Sequence, residues 1–297
     1  MTSELEWREV DVPALNQALS SGQTYYVQDS AMLEIKPLEV KDYESQYRAA
    51  YWRQLSLPQD GMWEVFARMA GYSELIWAGK PCGFVSVNKE NQLLHFFVMP
   101  QYQNQVAEVW QRFLEETSIN TAQVGSHDPQ FFSLCLDQNN TVQVHMLLYH
   151  NPKGNRGQKI ALRDGETFEK ASPDTLDELL SFSQFHTGDS GSWLKDYLSH
   201  WVMQEAVYCL RDEGQLVATG ELRPSASQLG VADIGVIVHG EYRGKGTATR
   251  VVKALIHEGW IQKWTLIAST EHQNLGAQKT LSRAGLMTHH RMAEVSW

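Results

Sequence analysis

Three cysteines in 297 residues are too few and too scattered for a disulfide framework. Cys82, Cys135 and Cys209 are odd in number, form no C-x-x-C pair, and read as reduced, mostly buried thiols. No run of about eighteen apolar residues occurs, so no segment reads as a membrane span. The opening residues, MTSELEWREV, carry acids and lack an apolar stretch, so no secretory signal is expected. Basic residues are in short supply: 25 Lys and Arg stand against 35 Asp and Glu, a net charge of −10. That balance argues against a nucleic-acid partner, whose phosphates a basic face would have to neutralise. Hydrophobic content of 42% excludes a disordered chain and supplies one large or two ordinary cores. The expectation is a cytoplasmic protein without nucleic-acid or membrane partners, either a monomer or a homodimer.

The most informative stretch is Val231 to Trp260, VADIGVIVHGEYRGKGTATRVVKALIHEGW. Ala232 to Val238 is dense in Ile and Val and reads as a strand covered on both faces. Gly235 within it suggests a bulge or a close backbone approach. A polar, glycine-rich loop follows from His239 to Gly246. Ala248, Val251, Val252, Leu255, Ile256 and Gly259 then share one helical face at spacings of three and four. Strand, glycine loop and helix N-terminus together build an anion site, because first-turn N–H groups lack partners and the helix dipole is positive there. Gly244 and Gly246 keep side chains away from the main-chain amides, while Arg243 and Lys245 add charge. A pyrophosphate is the expected guest. Lys245 precedes Gly246, which excludes a P-loop, and Thr249 stands where a dinucleotide fingerprint needs its third glycine.

The loop fits R-x-x-G-x-A through Arg243, Gly246 and Ala248, and here the segment resembles motif A of the GNAT N-acetyltransferase superfamily. The resemblance implies an α+β (mixed α/β) fold, a mostly antiparallel sheet flanked by helices. It also implies acetyl-CoA as cosubstrate, its pyrophosphate held by Arg243, Gly244, Lys245, Gly246, Thr247 and Ala248. In that family the motif strand is splayed; its open edge, here Val236, Ile237 and Val238, binds the pantetheine arm and faces the thioester carbonyl. Asn274 to Gly285 resembles motif B, where an asparagine often reaches the cofactor. Asn274 reads equally as a helix N-cap.

Transfer to an amine needs a proton acceptor. The family's frequent choice, a carboxylate near the start of the motif strand, falls on Asp233, with Glu221 on the neighbouring strand as rival. A carboxylate in a largely apolar sheet has a raised pKa suited to the task. His239, just after the strand, is a further candidate. The family commonly donates the last proton from a motif B tyrosine, and by register that place is Leu281. This leaves Ser282, Ser269, Tyr208, water, or unaided departure of the thiolate. Two readings follow: an acetyl-CoA-dependent N-acetyltransferase acting by direct transfer on a primary amine of a small molecule or peptide, and a catalytically inactive acyl-CoA-binding regulatory or interaction protein. Trp193, Tyr197 and Trp201 recur at spacing four, either as a core stripe or as substrate contacts. His186, Asp189 and His200 lack metal-ligand spacing, so no metal is expected.

The chain runs twice through the same element order, offset by roughly 135 to 140 positions, with Gly79 and Gly214 in matching hairpin turns. MPQYQNQVAEV falls where VHGEYRGKGTA does, but Val106 and Glu108 replace the glycine and alanine. A glutamate in that place repels a phosphate. The expectation is therefore two tandem GNAT-like domains, residues 1–154 a degenerate copy and residues 155–297 carrying the acetyl-CoA site. HNPKGNRG, residues 150–157, would link them. Only twelve residues follow Gly285, so the last strand of the second sheet is expected to come from the first half, with Thr24 to Val27 as its source.

Overall fold

The computed structural model describes residues 32–138, 141–188 and 191–297. The first half runs β1 (Leu33–Leu38), α1 (Val40–Gln46), α2 (Arg48–Gln54), α3 (Gly61–Ala70), β2 (Tyr72–Trp77), β3 (Lys80–Val87), β4 (Leu93–Val98), a 3-10 turn at Pro100–Gln105, α4 (Val106–Glu116), β5 (Thr121–Gly125), α5 (Pro129–Leu136) and β6 (Thr141–His150). The second half runs β7 (Glu166–Lys170), α6 (Leu176–Thr187), α7 (Trp193–Met203), β8 (Val207–Asp212), β9 (Gln215–Pro224), β10 (Val231–Val238), a 3-10 turn at Gly240–Tyr242, α8 (Thr247–Ile261), β11 (Thr265–Glu271), α9 (Leu275–Arg283) and β12 (Met287–Ser296). The sequence suggests one helix from Lys41 to Leu55, but the chain breaks it at Tyr47. The Tyr47 ring is buried and its hydroxyl donates to Glu74 at 2.6 Å, which holds the break.

The twelve strands form one mixed sheet in the order β1-β2-β3-β4-β5-β12-β6-β11-β10-β9-β8-β7. The two halves exchange strands at its centre. β12, the last strand, pairs antiparallel with β5 through Met292–Gly125 to Ser296–Thr121. β6 of the first half lies between β12 and β11 and pairs antiparallel with both. The borrowed strand of the second half is thus β6; Thr24 to Val27 lies outside the described residues. The cores are exchanged with the strands. Val295 is fully buried among Trp110, Phe113 and Phe96 of the first half, while Tyr149 of β6 is buried with Leu222, Leu255 and Leu266 of the second.

β10 and α8 position the site. The inward face of α8 buries Val251, Val252, Leu255 and Ile256 completely. Each such side chain contributes about 1.5–3 kcal/mol relative to exposure, which fixes the helix against β9 and β10. β10 is not covered on both faces. Ala232, Ile234 and Val238 are buried, while Asp233, Gly235 and Ile237 are half-buried. It pairs with β9 in unbroken register from Ala232–Pro224 to Val238–Ala218, so Gly235 makes no bulge. With β11 it pairs only over Val231 to Asp233. Beyond Ile267, β11 runs on beside β6, and the two parallel strands splay apart. β4 and β5 repeat this in the first half, where a single parallel pair, Leu93–Ala122, remains.

Candidate active site

The N–H of His239 bonds the carbonyl of Val217 on β9. Strand alternation therefore turns the N–H groups of Val236 and Val238 away from β9, into the gap left by β11, with Ile237 between them facing back. At the end of this edge, Gly244 and Gly246 both adopt left-handed φ, 75° and 83°. A side chain would be strained there, and no atom lies within 4 Å of where a Cβ would stand. Gly246 caps α8 without a side-chain hydrogen bond, and no acid occupies the first turn, Thr247 onward. The first-turn N–H groups thus keep their capacity for an outside anion. Ala248 packs its methyl on the core below. Arg243 is used differently from expectation: its Nε donates to the carbonyl of Val238 and its Nη2 to that of His186, both at 3.0 Å, so it pins the loop. Lys245 is exposed, with Nζ 5.5 Å from the centre of the Tyr242 ring. This cradle suits a pyrophosphate: open, positive and free of side chains.

The other expected residues fall into two sets. Asn274 caps α9, its Oδ1 accepting from the Ala277 N–H at 3.0 Å, and is exposed. Leu281 is only 5% exposed and packed in the core of the second half, where it can donate nothing. His239 accepts from the Glu241 N–H and its ring lies 4.6 Å from that of His186. Asp233 and Glu221, by contrast, are brought together by a residue that sequence reasoning missed, Arg223. Arg223 stands directly opposite Asp233 in the ladder, and Glu221 opposite Gly235. Arg223 Nη2 lies 3.2 Å from Asp233 Oδ1, and Nη1 donates to Glu221 Oε2 at 2.8 Å. Tyr197 of α7 donates to the same Glu221 oxygen at 2.6 Å and accepts from Arg223. A Cβ on Gly235 would sit 3.4 Å from Glu221 Oε2 and 3.6 Å from Arg223 Nη1. These are ordinary contact distances, so the network alone does not require a glycine at this position. Burial pushes the Asp233 carboxyl up to about 7, with Arg223 pulling against it. An E-x-R pattern on β9, with both side chains on one face, was the available signal.

Asp233 also lines a cavity of about 520 Å³. One wall is α7, with Trp193, Tyr197 and Trp201; the opposite wall is α3 of the first half, with Met62, Glu64 and Val65. Ile267, the last residue of β11 to pair with β10, lies in its lining. The cavity therefore meets the sheet where the splay begins. The spacing-four aromatic stripe of α7 serves both core and cavity, for Tyr197 and Trp201 also pack on the buried cluster around Leu198. Among the described residues no group of three or more potential metal ligands occurs, and no helix is long and apolar enough to cross a membrane.

The first half keeps the loop lock and fills the gap. Gln103 Nε2 donates to the Val98 carbonyl at 2.9 Å, the place taken by Arg243 on Val238 140 residues later. Gln130 Oε1 accepts the Val98 N–H at 3.1 Å, and Gln130 Nε2 donates to Gln103. Glu108 stands in the first turn of α4.

Each half of the mixed sheet thus carries a parallel pair that splays beside a helix N-terminus. Two domain models, both described as Acetyltransferase (GNAT) domain, match residues 40–152 and 161–287. The chain belongs to the GNAT acetyltransferase superfamily and carries two of its domains in tandem. Among solved structures, a GNAT-family acetyltransferase from Colwellia psychrerythraea is 28% identical with a TM-score of 0.80, covering 89% of this chain and 99% of that one. A GCN5-related N-acetyltransferase from Sphaerobacter thermophilus shares the fold at 14% identity and a TM-score of 0.62, covering 89% and 94%. A tandem GNAT protein from the clavulanic acid biosynthesis pathway shares it at 11% and 0.57, covering 90% and 98%. No curated protein matches the chain.

Proposed function

We propose that the second half, from about residue 155, transfers an acetyl group from acetyl-CoA directly to a primary amine held in the cavity between α3 and α7. The observation that carries this reading is the continuity of three features. The uncapped glycine cradle before α8, the free edge of β10 and the cavity at Asp233 follow one another along a single strand. Val238 and Asp233 are five residues apart, roughly 16 Å of strand, which suits an extended pantetheine arm. In this reading Gly244, Lys245, Gly246, Thr247 and Ala248 hold the pyrophosphate, and the N–H groups of Val236 and Val238 hold the arm. The cosubstrate supplies an activated acetyl thioester. Asp233 takes the proton of the incoming amine, its raised pKa matched to neutral conditions. Glu221 and Tyr197 orient Arg223, which orients Asp233. Asn274 acts as a helix cap, and the leaving thiolate departs unaided or with water.

The first half, with its gap occupied by Gln130, acts as a partner wall and binds no second cosubstrate. Calorimetric titration with acetyl-CoA tests the site. Wild type is expected to bind in the micromolar range and Gly246→Glu to bind none, since the new carboxylate would face the phosphate. A folded Gly246→Glu variant with unchanged affinity would remove the assignment. Binding of acetyl-CoA with no thiol release in the presence of any amine would favour the reading of a non-catalytic acyl-CoA-binding protein.

A further inference from the structure

Resting on that reading, we infer that the acceptor is an amine on an apolar, aromatic-sized body without a carboxylate, and that α3 of the first half enforces this choice. Three observations carry it. The cavity is built mainly from apolar surface, with Trp193, Trp201 and Tyr197 on one side and Met62 and Val65 on the other. Trp193 and Tyr197 meet edge to face at 5.4 Å, and Trp193 is 50% exposed, so a flat ring has a face to lie on. A volume of about 520 Å³ admits a small amine and excludes a folded peptide or an oligosaccharide.

The charges on the walls decide the rest. Arg223 is enclosed by Glu221, Asp233 and the Tyr197 hydroxyl. Arg68, at the edge of the cavity, is held by Glu44 at 2.7 Å. Arg223, the cation beside Asp233, has no room for a substrate carboxylate, while Arg68 stays half-exposed at the rim with its charge offset by Glu44. Glu64 lines the wall, accepts a hydrogen bond from Ser227, and forms an ion pair with no cation among the described residues. Asp60 caps the same helix, its carboxylate bonded to the N–H groups of Met62 and Trp63. An ammonium entering past Glu64 is attracted, and an amino acid is penalised by its own carboxylate. A polyol is penalised too, because most of the wall its hydroxyls would face is apolar surface.

Three amines separate these contributions: 2-phenylethylamine, phenylalanine, which adds only the carboxylate, and glucosamine, which replaces the ring by hydroxyls. Each is assayed by thiol release from acetyl-CoA, with acetyl-CoA affinity measured in parallel. 2-Phenylethylamine is expected to exceed both others in kcat/KM by about a hundredfold. Glu64→Gln should narrow its advantage over phenylalanine about tenfold, leaving acetyl-CoA affinity unchanged. Val65→Trp, which fills the cavity from the first half at an exposed position, should raise the KM for 2-phenylethylamine with the same acetyl-CoA affinity. Preference for glucosamine or phenylalanine, or no use of 2-phenylethylamine by a protein that binds acetyl-CoA, overturns the inference and leaves the cosubstrate site standing. Failure to bind acetyl-CoA at all removes the underlying reading and this inference with it.

Discussion

Gln130 Oε1 accepts the main-chain N–H of Val98 at 3.1 Å, closing from within the gap that the second half leaves open. On the proposed reading, the bond leaves the first of two similar sheets without a free edge for a ligand. A pantetheine arm needs the same N–H, and Gln130 already satisfies it without the entropy cost of capturing a free molecule. Glu108 adds a repulsive charge at the helix end where a phosphate would lie. Acetyl-CoA should therefore bind at one site per chain by calorimetry, and Gln130→Ala alone should not create a second. A stoichiometry of two would show that the first half still binds.

Strand exchange makes a second prediction. A fragment ending at residue 154 lacks β12, which β5 requires, and a fragment starting at 155 lacks β6, which lies between β11 and β12. Val295 and Tyr149 would each leave a buried site empty in the opposite core. Losing one large buried side chain alone costs about 2–5 kcal/mol, a large share of a domain's net stability. The separate fragments should be unfolded or aggregated, and the intact chain should show one cooperative transition in denaturant, not two. Two resolved transitions would mean that the halves are thermodynamically independent.

The sequence carried the second half well because its signals are local. Ile and Val density, the glycine loop and a three-four helical face are each read within about thirty residues, and β10, the loop and α8 lie close to those bounds. Gly79 and Gly214 likewise occupy hairpin turns, both in left-handed φ. What failed to show was non-local. Nothing in the spacing of β6 announces that it will sit beside β11, because strand partners are chosen by the closing of a sheet over a hundred residues away. Gly235 illustrates the limit. It suggested a bulge, yet the strand pairs in unbroken register, and a Cβ there would meet Glu221 and Arg223 on the next strand at ordinary contact distance. The α3 wall was invisible for the same cause. Met62 and Val65 look like one side of an ordinary amphipathic helix until α7 is placed opposite.

Leu281 offers a third test. It occupies the place where the family's tyrosine is expected, yet it is 5% exposed and packs with Leu286 and Leu266 in the second core. Leu281→Tyr would force a larger, polar side chain into that space. Overpacking of this kind costs about 1–3 kcal/mol, and the buried hydroxyl would add to it unless it found a partner. The variant should unfold at lower temperature and gain no more than about twofold in kcat. A stable variant with a large gain would show that the hydroxyl reaches the leaving thiolate.

The pH profile bears directly on Asp233. Burial raises its pKa from the ordinary 3.8 to about 7, because the charged form loses more hydration than Arg223 returns. A proton acceptor works only when ionised. kcat/KM should therefore rise with pH through about 7 and then level off, until the ordinary ionisation of another group intervenes. Asp233→Asn should lower kcat by about 10²–10⁴-fold and leave acetyl-CoA affinity intact. Stability supplies an independent check with the opposite slope. A carboxyl whose folded pKa is raised contributes stability fully below the unfolded value near 3.8, and that contribution is lost as pH climbs to about 7. Across that window the wild type should lose stability relative to Asp233→Asn, as measured by chemical denaturation at fixed pH. An activity limb near 4, or parallel stability curves for the two proteins, would place Asp233 in contact with water and return the role of base to another group.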